Sequence, residues 1–219
     1  MNPRDSILKK LSSINSLQKT PAARTQDRQI YQDYPEETKD ELIARFKKQF
    51  LALAGEFFPV SSYEKAGAHI FELLKSVDST KHLVELNPLC QKIFSACPEL
   101  EAKFENIENK TLAATDFADY ATGLTGADFL VARTGSIVLR TNSAGGRRLS
   151  VLPPLHIVVA TVAQLVPSLD AALQNRGFRE GDWSYGTIIT GPSRTSDIEK
   201  ILVLGAHGPK RLALILLDE

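Results

Sequence analysis

The chain has 219 residues, of which 43% are hydrophobic and 24% are charged. These proportions are typical of a globular domain and exclude a fibrous or largely disordered chain. Twenty-six basic residues balance twenty-six acidic ones, so the net positive field expected of a nucleic-acid binder is absent. No apolar run follows the first charges, and the longest apolar stretch, Val151 to Leu165, is too short and too interrupted to cross a bilayer. Composition therefore predicts a cytoplasmic protein without a nucleic-acid partner or a membrane span.

Residues 1–37 are rich in Gln, Ser, Asp, Lys and Arg and have few apolar positions. Such a segment buries too little apolar surface to offset the entropy of ordering it. We therefore predict a flexible N-terminal arm over residues 1–37, with one short helix around Asp5 to Leu17. Residues 38–219 are predicted to form a single α/β domain.

Capping residues followed by apolar residues at helical spacing mark three helices in the first half of the domain. Short apolar or alternating runs between them are typical of strands. Because strands alternate with helices, the sequence predicts a largely parallel sheet flanked by helices. The predicted helix starts are Thr38 with Glu41, Ser61 with Glu64, and Asn87 with Pro88; the first helix ends at Gly55, and the strands are 57–58 and 82–86.

The second half is richer in Gly, Thr and apolar runs. Apolar runs bounded by Gly, Pro or polar turns predict strands, and a capping box predicts another helix start. The predicted strands are 127–132, 137–140, 157–159, 187–189 and 212–217, the predicted helices run from Pro167 to Gly177 and from Ser196 with Glu199, and residues 142–148 and 175–183 are predicted connections.

The strongest local signal is the segment Thr190-Gly191-Pro192-Ser193-Arg194-Thr195 and the predicted capped helix after it. Free backbone N–H groups at a helix start, two hydroxyls and a guanidinium form a typical anion site. In the alternative interpretation, Ser and Thr cap the helix, Pro shapes the turn, and Arg194 pairs with Asp197 or Glu199. The sequence leaves both interpretations open.

Two histidines lie at turns, His207 within Gly205-Ala206-His207-Gly208-Pro209 and His156 after Pro153-Pro154. The pKa of histidine suits a proton carrier at neutral pH, and the glycines around His207 permit close approach to a ligand. Each side chain is also compatible with a purely structural hydrogen bond in its own turn or in the core.

A third cluster is Thr134-Gly135-Ser136, which lies between two predicted strands. Glycines with hydroxyls at strand ends can form a phosphate or acyl cradle. Neither a dinucleotide fingerprint nor a P-loop occurs, and the G-x-S-x-G elbow that would make Ser136 a nucleophile is absent.

Four segments in this order, TGSIVL from Thr134, LPPLHI from Leu152, TGPSRTSDIE from Thr190 and LGAHGP from Leu204, resemble the LutC/YkgG family of lactate utilisation (LUD domain) proteins. The resemblance implies a NagB/RpiA/CoA-transferase-like α/β fold. It also implies a role in oxidising L-lactate to pyruvate with iron–sulfur partner proteins. Family members often have an acidic residue before the TG pair, where this chain has Arg133.

Cys90 and Cys97 are the only thiols, whereas an iron–sulfur cluster normally takes four Cys ligands. We therefore expect no cofactor or metal in this chain and place the iron–sulfur clusters on the partner proteins. The hypothesis favoured here is an accessory subunit of lactate oxidation that binds a small anionic ligand. The alternatives are an independent CoA-transferase-like or cyclo-ligase-like enzyme acting on a small carboxylate or phosphorylated substrate, and a scaffold without a ligand. The candidate ligand residues are Thr134, Gly135, Ser136, His156, Thr190, Gly191, Ser193, Arg194, Thr195, His207 and Gly208.

Overall fold

The computed structural model describes residues 3–15, 37–110, 112–141, 146–175, 177, 183, 185–196, 202–204 and 208–219. The helices are α1 (Pro3–Asn15), α2 (Lys39–Ala52), α3 (Tyr63–Lys75), α4 (Pro88–Ala96), α5 (Pro98–Glu101), α6 (Gly146–Leu149) and α7 (Leu169–Gln174). The strands are β1 (Glu56–Val60), β2 (His82–Val84), β3 (Phe104–Asn106), β4 (Thr122–Thr125), β5 (Phe129–Val131), β6 (Ser136–Thr141), β7 (Leu155–Thr161), β8 (Leu165–Val166), β9 (Tyr185–Ile189), β10 (Arg194–Ser196), β11 (Leu202–Leu204) and β12 (Arg211–Leu217).

The main sheet, sheet A, contains six strands in the order β1-β12-β7-β4-β2-β3, and every neighbouring pair is parallel. All its strands therefore begin at one edge, here called the amino edge, and end at the opposite carboxyl edge. The parallel α/β fold predicted from the sequence is confirmed.

Helices cover sheet A on one face, and α2 with a second sheet covers the other. Leu155, Ile157 and Val159 of β7 pack with α3 and α4, whereas the alternate residues Val158 and Ala160 join the cluster that includes α2. This two-residue alternation, with both sets buried, is the pattern of a central parallel strand. It explains why β7 and β12 are continuous apolar runs in the sequence.

The second sheet, sheet B, has the order β8-β5-β6-β9. β5 and β6 form an antiparallel pair, as do β6 and β9, whereas β8 is parallel to β5. The sequence analysis found β5, β6 and β9 but did not predict that they form a sheet of their own.

Local signals located several helices accurately. Thr38 and Glu41 form the predicted capping box of α2. Asn87 caps α4, whose first turn contains Pro88. Helix α7 starts one residue after its cap, Ser168, and ends before Gly177, with Asn175 as its C-cap.

Other predictions were wrong in position. The cap of α3 is Ser62, whose side chain accepts from the backbone N–H of Lys65, and not Ser61. Strand β2 ends at Val84 and not at Leu86, because the chain turns there toward the cap of α4. Part of the predicted loop 142–148 is helical, as α6, while residues 142–145 lie outside the described part of the chain.

Arg194 and Thr195, which precede the predicted helix, belong to a strand. Arg194–Ser196 forms β10, which pairs antiparallel with β11 in a separate two-stranded sheet, and the apolar Leu202–Leu204 segment provides that partner strand. The helix predicted from Ser196 with Glu199 falls on Asp197, Ile198 and Glu199, which lie outside the described residues.

Residues 1–36 and 37–219 are separate compact units. In the first unit the structure describes α1, which corresponds to the short helix predicted around Asp5 to Leu17. The division into an arm over residues 1–37 and a domain over residues 38–219 stays a prediction. In the part of the chain that the structure describes, no helix has the length and apolarity needed to cross a membrane.

Candidate functional site

A cavity of about 810 Å³ opens at the carboxyl edge of sheet A. We call it the carboxyl-edge cavity. Its polar lining follows directly after the ends of the parallel strands, at the edge where open α/β sheets usually bind ligands. Residues that follow or end β2, β4, β7 and β12 line it, among them Glu85, Asn87, Gly126, Asp128, Thr161 and Glu219.

An ion pair between Asp128 and Arg140 forms one wall of the cavity. Arg140 Nε and Nη2 donate to Asp128 Oδ1 at 2.9 and 2.7 Å, and the backbone N–H of Arg140 donates to Oδ2 at 2.6 Å. The two side chains are 24% and 22% exposed, so water screens the pair only partly. Asp128 directly precedes β5, and its backbone N–H donates to the Val138 carbonyl of β6, so the pair links these two neighbouring strands of sheet B.

A second, more exposed ion pair lies at the rim. Lys92 Nζ lies 3.7 Å from Glu219 Oε2 and 5.4 Å from the centre of the Tyr63 ring, and the Tyr63 hydroxyl donates to Glu219. Hydrogen bonding to Tyr63 and the charge of Glu219 raise the pKa of Lys92. The ammonium group therefore stays charged at neutral pH.

Helix α4 begins at the cavity, but its first N–H groups are already satisfied. Asn87 Oδ1 accepts from the backbone N–H groups of Leu89 and Cys90, both at 3.0 Å. The Asn87 amide also donates to Cys90 Sγ at 3.1 Å. Burial raises the pKa of the Cys90 thiol to about 12, so this cysteine is protonated and poorly nucleophilic at neutral pH.

A buried hydrogen-bonded pair lies behind the cavity. Thr125 Oγ1 donates to the Gly126 carbonyl at 3.0 Å, which uses its hydrogen, so it accepts from His156 Nε2 at 2.9 Å. Nδ1 of His156 is then an acceptor, and it is buried without a hydrogen-bond partner among the described residues. Burial lowers the pKa of His156 to about 3. His156 is therefore neutral and holds the strand end that leads into the cavity.

The predicted hydroxyl and glycine residues meet at the other edge of sheet A. Thr134 Oγ1 lies 2.7 Å from Ser136 Oγ, which lies 2.8 Å from Thr190 Oγ1. This chain of hydroxyls joins the start of β6 to the residue after β9. Helix α2, against which the segment packs, ends just before β1 begins, so the hydroxyls lie at the amino edge.

Two glycines of this group have left-handed backbones and pack tightly against α2. Gly135 has φ +64° and Gly191 has φ +87°. A Cβ on Gly135 would lie 2.6 Å from the Phe50 backbone nitrogen, and one on Gly191 would lie 2.9 Å from the Leu53 carbonyl oxygen. Conformation and close approach both require glycine here.

Ser193 and Gly208 also meet at the amino edge. The Ser193 backbone N–H donates to the Pro209 carbonyl at 2.9 Å, and a Cβ on Gly208 would lie 3.1 Å from that of Ser193. Arg194 is exposed in β10. His207 lies outside the described residues, as does the side chain of Thr195. We call Thr134, Gly135, Ser136, Thr190, Gly191, Ser193 and Gly208 the amino-edge cluster.

The structure therefore brings most of the predicted residues together, but at the amino edge and not at the carboxyl edge, where open α/β sheets usually bind ligands. None of the predicted residues that the structure describes is among those that line the carboxyl-edge cavity. The sequence analysis missed Glu85, Asn87, Arg140 and Trp183 as site residues. Polar residues directly after short apolar runs were the available signal for Glu85 and Asn87.

Sequence comparison identifies the family. The LUD domain family model matches residues 43–217. The chain belongs to the LUD domain family. This confirms the resemblance drawn from the four sequence motifs.

Two relatives show how far the similarity extends. A Lactate utilization protein C of Bacillus pumilus (strain SAFR-032) is 39% identical to this LUD protein over 97 residues, which are 42% of this chain and 40% of that protein. Another from Shouchella clausii (strain KSM-K16) is 28% identical over 193 residues, 83% of this chain and 81% of that protein. The match to the first relative thus spans less than half of that protein.

A solved structure supports the fold. The crystal structure of a DUF162 family protein from Deinococcus radiodurans superposes with a TM-score of 0.61 at 21% identity, over 83% of this chain and 99% of that one. Among the residues described for this LUD protein, no group of three or more His, Cys, Asp or Glu side chains could hold a metal ion.

Proposed function

We propose that this LUD protein is a ligand-binding subunit of a cytoplasmic system that oxidises L-lactate to pyruvate. Its relatives named Lactate utilization protein C support the pathway. The observation that carries a ligand-binding role is the carboxyl-edge cavity, about 810 Å³ in volume and lined by charged side chains at the ends of parallel strands. A protein that only joined its partners would need no such cavity, so the scaffold alternative is disfavoured.

The redox centres of this system lie, in our proposal, on iron–sulfur partner proteins. The two cysteines of this chain are free, and one is fully buried with a raised pKa. The small anion, lactate or pyruvate, is proposed to bind beside the amino-edge cluster, where the exposed Arg194 guanidinium offers donors.

Growth on L-lactate tests the role of the cavity. A strain that lacks the gene is complemented with wild-type protein, with Leu86→Trp, which fills the cavity, or with Leu51→Trp, a matched change on the exposed side of α2. We expect growth with wild type and Leu51→Trp and loss of growth with Leu86→Trp. Equal growth of a folded Leu86→Trp variant would contradict a ligand-binding role for the cavity.

Co-purification tests the partners. Tagged protein from lactate-grown cells is expected to retain proteins with the visible absorption of iron–sulfur clusters. Recovery of the folded protein without such partners under mild conditions would contradict the subunit proposal.

An acyl-transfer enzyme is the second candidate, because it needs a carboxylate nucleophile and the cavity contains several carboxylates, including Glu85, Glu108 and Asp128. Asp128 is engaged by Arg140, and we propose Glu108 as the nucleophile of this candidate. Incubation with acyl-CoA followed by mass spectrometry tests this candidate. A covalent adduct on Glu108 would favour it, and an unmodified chain would disfavour it.

A further inference from the structure

We propose that the carboxyl-edge cavity binds a ring-bearing polyol of the nucleoside class that is uncharged or cationic, and does not bind a free carboxylate or phosphate. The inference rests on the proposed function only in taking this cavity as a ligand site. It goes beyond that function by giving the ligand's size, charge and chemical class.

The size of the cavity argues against lactate as its occupant. Lactate has six non-hydrogen atoms, and even at the roughly 30 Å³ that a water molecule takes in the liquid it would occupy only about a quarter of the space. The volume of about 810 Å³ falls in the range typical of sites for cofactor-sized ligands. A ligand several times larger than lactate is therefore expected.

The charges of the lining argue against an anion. The described lining contains the carboxylates of Glu85, Glu108, Asp128 and Glu219 and the cations of Lys92 and Arg140. Both of these cations are already paired, Arg140 with Asp128 and Lys92 with Glu219. A phosphate would have to displace a carboxylate from one of these ion pairs. The negative charge of the other lining carboxylates would then repel it.

The amide groups of the lining add few donors for an anion. The Asn87 side-chain amide donates to the Glu85 backbone carbonyl and to Cys90 Sγ, and the Gln164 amide donates to the Ala127 backbone carbonyl. The Asn87 amide oxygen caps the first N–H groups of α4. The carboxylate oxygens, by contrast, are hydrogen-bond acceptors. Ligand groups that donate hydrogen bonds, such as sugar hydroxyls and ring N–H groups, match this lining.

Apolar residues also line the cavity in the described part of the chain. They include Leu86, Leu139, Val159 and Trp183, and Trp183 is held in place by its packing on the Val131 and Val138 cluster. A flat ring would bury its faces against this surface, as aromatic rings commonly do in ligand sites. Hydrogen-bond acceptors together with apolar surface match a ring joined to a polyol.

Matched pairs that differ by one phosphate group test the proposal. Riboflavin and FMN, adenosine and AMP, and nicotinamide riboside and its 5′-phosphate are tested by thermal shift and calorimetry with the purified full chain. We expect at least one unphosphorylated member to raise the Tm and to bind roughly tenfold more tightly than its phosphate. No shift with any of the three, or tighter binding of the phosphates, would overturn the proposal.

Charge variants test whether the preference for the unphosphorylated probe arises in the carboxyl-edge cavity. Asp128→Asn should reduce the preference to less than about threefold, because it releases Arg140 to face the phosphate. Glu108→Gln removes a lining carboxylate for which the described structure shows no side-chain partner, and it should reduce the preference even if Asp128→Asn folds poorly. Asp119→Asn, which breaks the exposed pair with Lys81 outside the cavity, is the control and should leave the preference unchanged. Equal preferences in all three variants would overturn the assignment to this cavity.

The result of the probe-binding test can be distinguished from the result of the growth test on L-lactate. If Leu86→Trp abolishes growth on L-lactate and no nucleoside-class probe binds, the proposed function stands and this inference fails. If a probe binds through this cavity while Leu86→Trp supports growth, the reverse holds.

Discussion

The two edges of sheet A are constructed by different physical means. At the amino edge, glycines let the backbone approach α2 and hydroxyls bond to one another. At the carboxyl edge, polar caps start helices, an ion pair links β6 to the residue before β5, and a cavity remains. The glycines that are conspicuous in the sequence thus have a packing role, whereas the cavity is formed by residues that are scattered along the chain.

The largest expected effect is at the amino edge. Gly135→Ala should lower the free energy of unfolding by about 3 kcal/mol, because it combines an unfavourable positive φ with a steric clash. Urea denaturation measures this loss. Gly186→Ala is the control, since the nearest atom would lie 3.4 Å from its Cβ, and it should change the stability by less than about 0.5 kcal/mol. Similar effects of both changes would contradict the close-packing account.

His156, which holds the end of β4, should make stability depend on pH. Its folded pKa of about 3 lies below the ordinary histidine value of 6.5, so below pH 6.5 the unfolded chain binds the extra proton. Stability from this group is complete above pH 6.5 and falls by about 1.4 kcal/mol per pH unit as the pH drops toward 3.

Urea denaturation at pH 7.5 and 5.5 checks this dependence on pH. His156→Gln cannot titrate, so the wild type should lose about 1 kcal/mol more than the variant over this range. The variant is the necessary reference, because burial also lowers the pKa of His82. Equal losses of stability in the two proteins would contradict the lowered pKa of His156.

At the carboxyl edge, the cap of α3 distinguishes two adjacent serines. Ser62→Ala should cost about 1 kcal/mol, because the Ser62 side chain accepts the Lys65 backbone N–H. Ser61→Ala removes only an exposed bond from Lys65 Nζ and should cost less than about 0.5 kcal/mol. Chemical denaturation of both variants makes the comparison. The opposite order would restore the cap predicted from the sequence.

The smallest expected effect on stability is that of Arg194→Ala. Arg194 is exposed, so its loss should change the unfolding free energy by less than about 0.5 kcal/mol. Calorimetry with L-lactate and with inorganic phosphate should nevertheless show loss of binding at the amino edge. Lys48→Ala, an exposed cation on α2, is the control. Unfolding of the Arg194 variant would make this residue structural and would contradict its role as an anion clamp.

Much of the fold could be predicted because its signals are local. The capping box at Thr38, the Asn87-Pro88 helix start and the apolar run of β12 each depend on neighbouring residues alone. The strand pair β10 and β11 was not predicted, because it depends on contacts between residues six to ten positions apart. The cap of α3 shifted by one residue because Ser61 and Ser62 carry the same local signal.

The site was harder to predict than the fold. Asp128 and Arg140 are twelve residues apart and meet only because β5 and β6 fold back on each other. Glu219 reaches the cavity because it follows β12, which lies inside sheet A. None of these residues forms a motif with its neighbours along the chain.

The sequence by itself determined the α/β class, the LUD family and the positions of most strands, because apolar periodicity, caps and short motifs are properties of contiguous residues. The tertiary structure alone decided which edge of sheet A carries the cavity and which carries the glycines and hydroxyls. The order of strands in the sheet sets that division, and it depends on contacts between segments far apart in the chain.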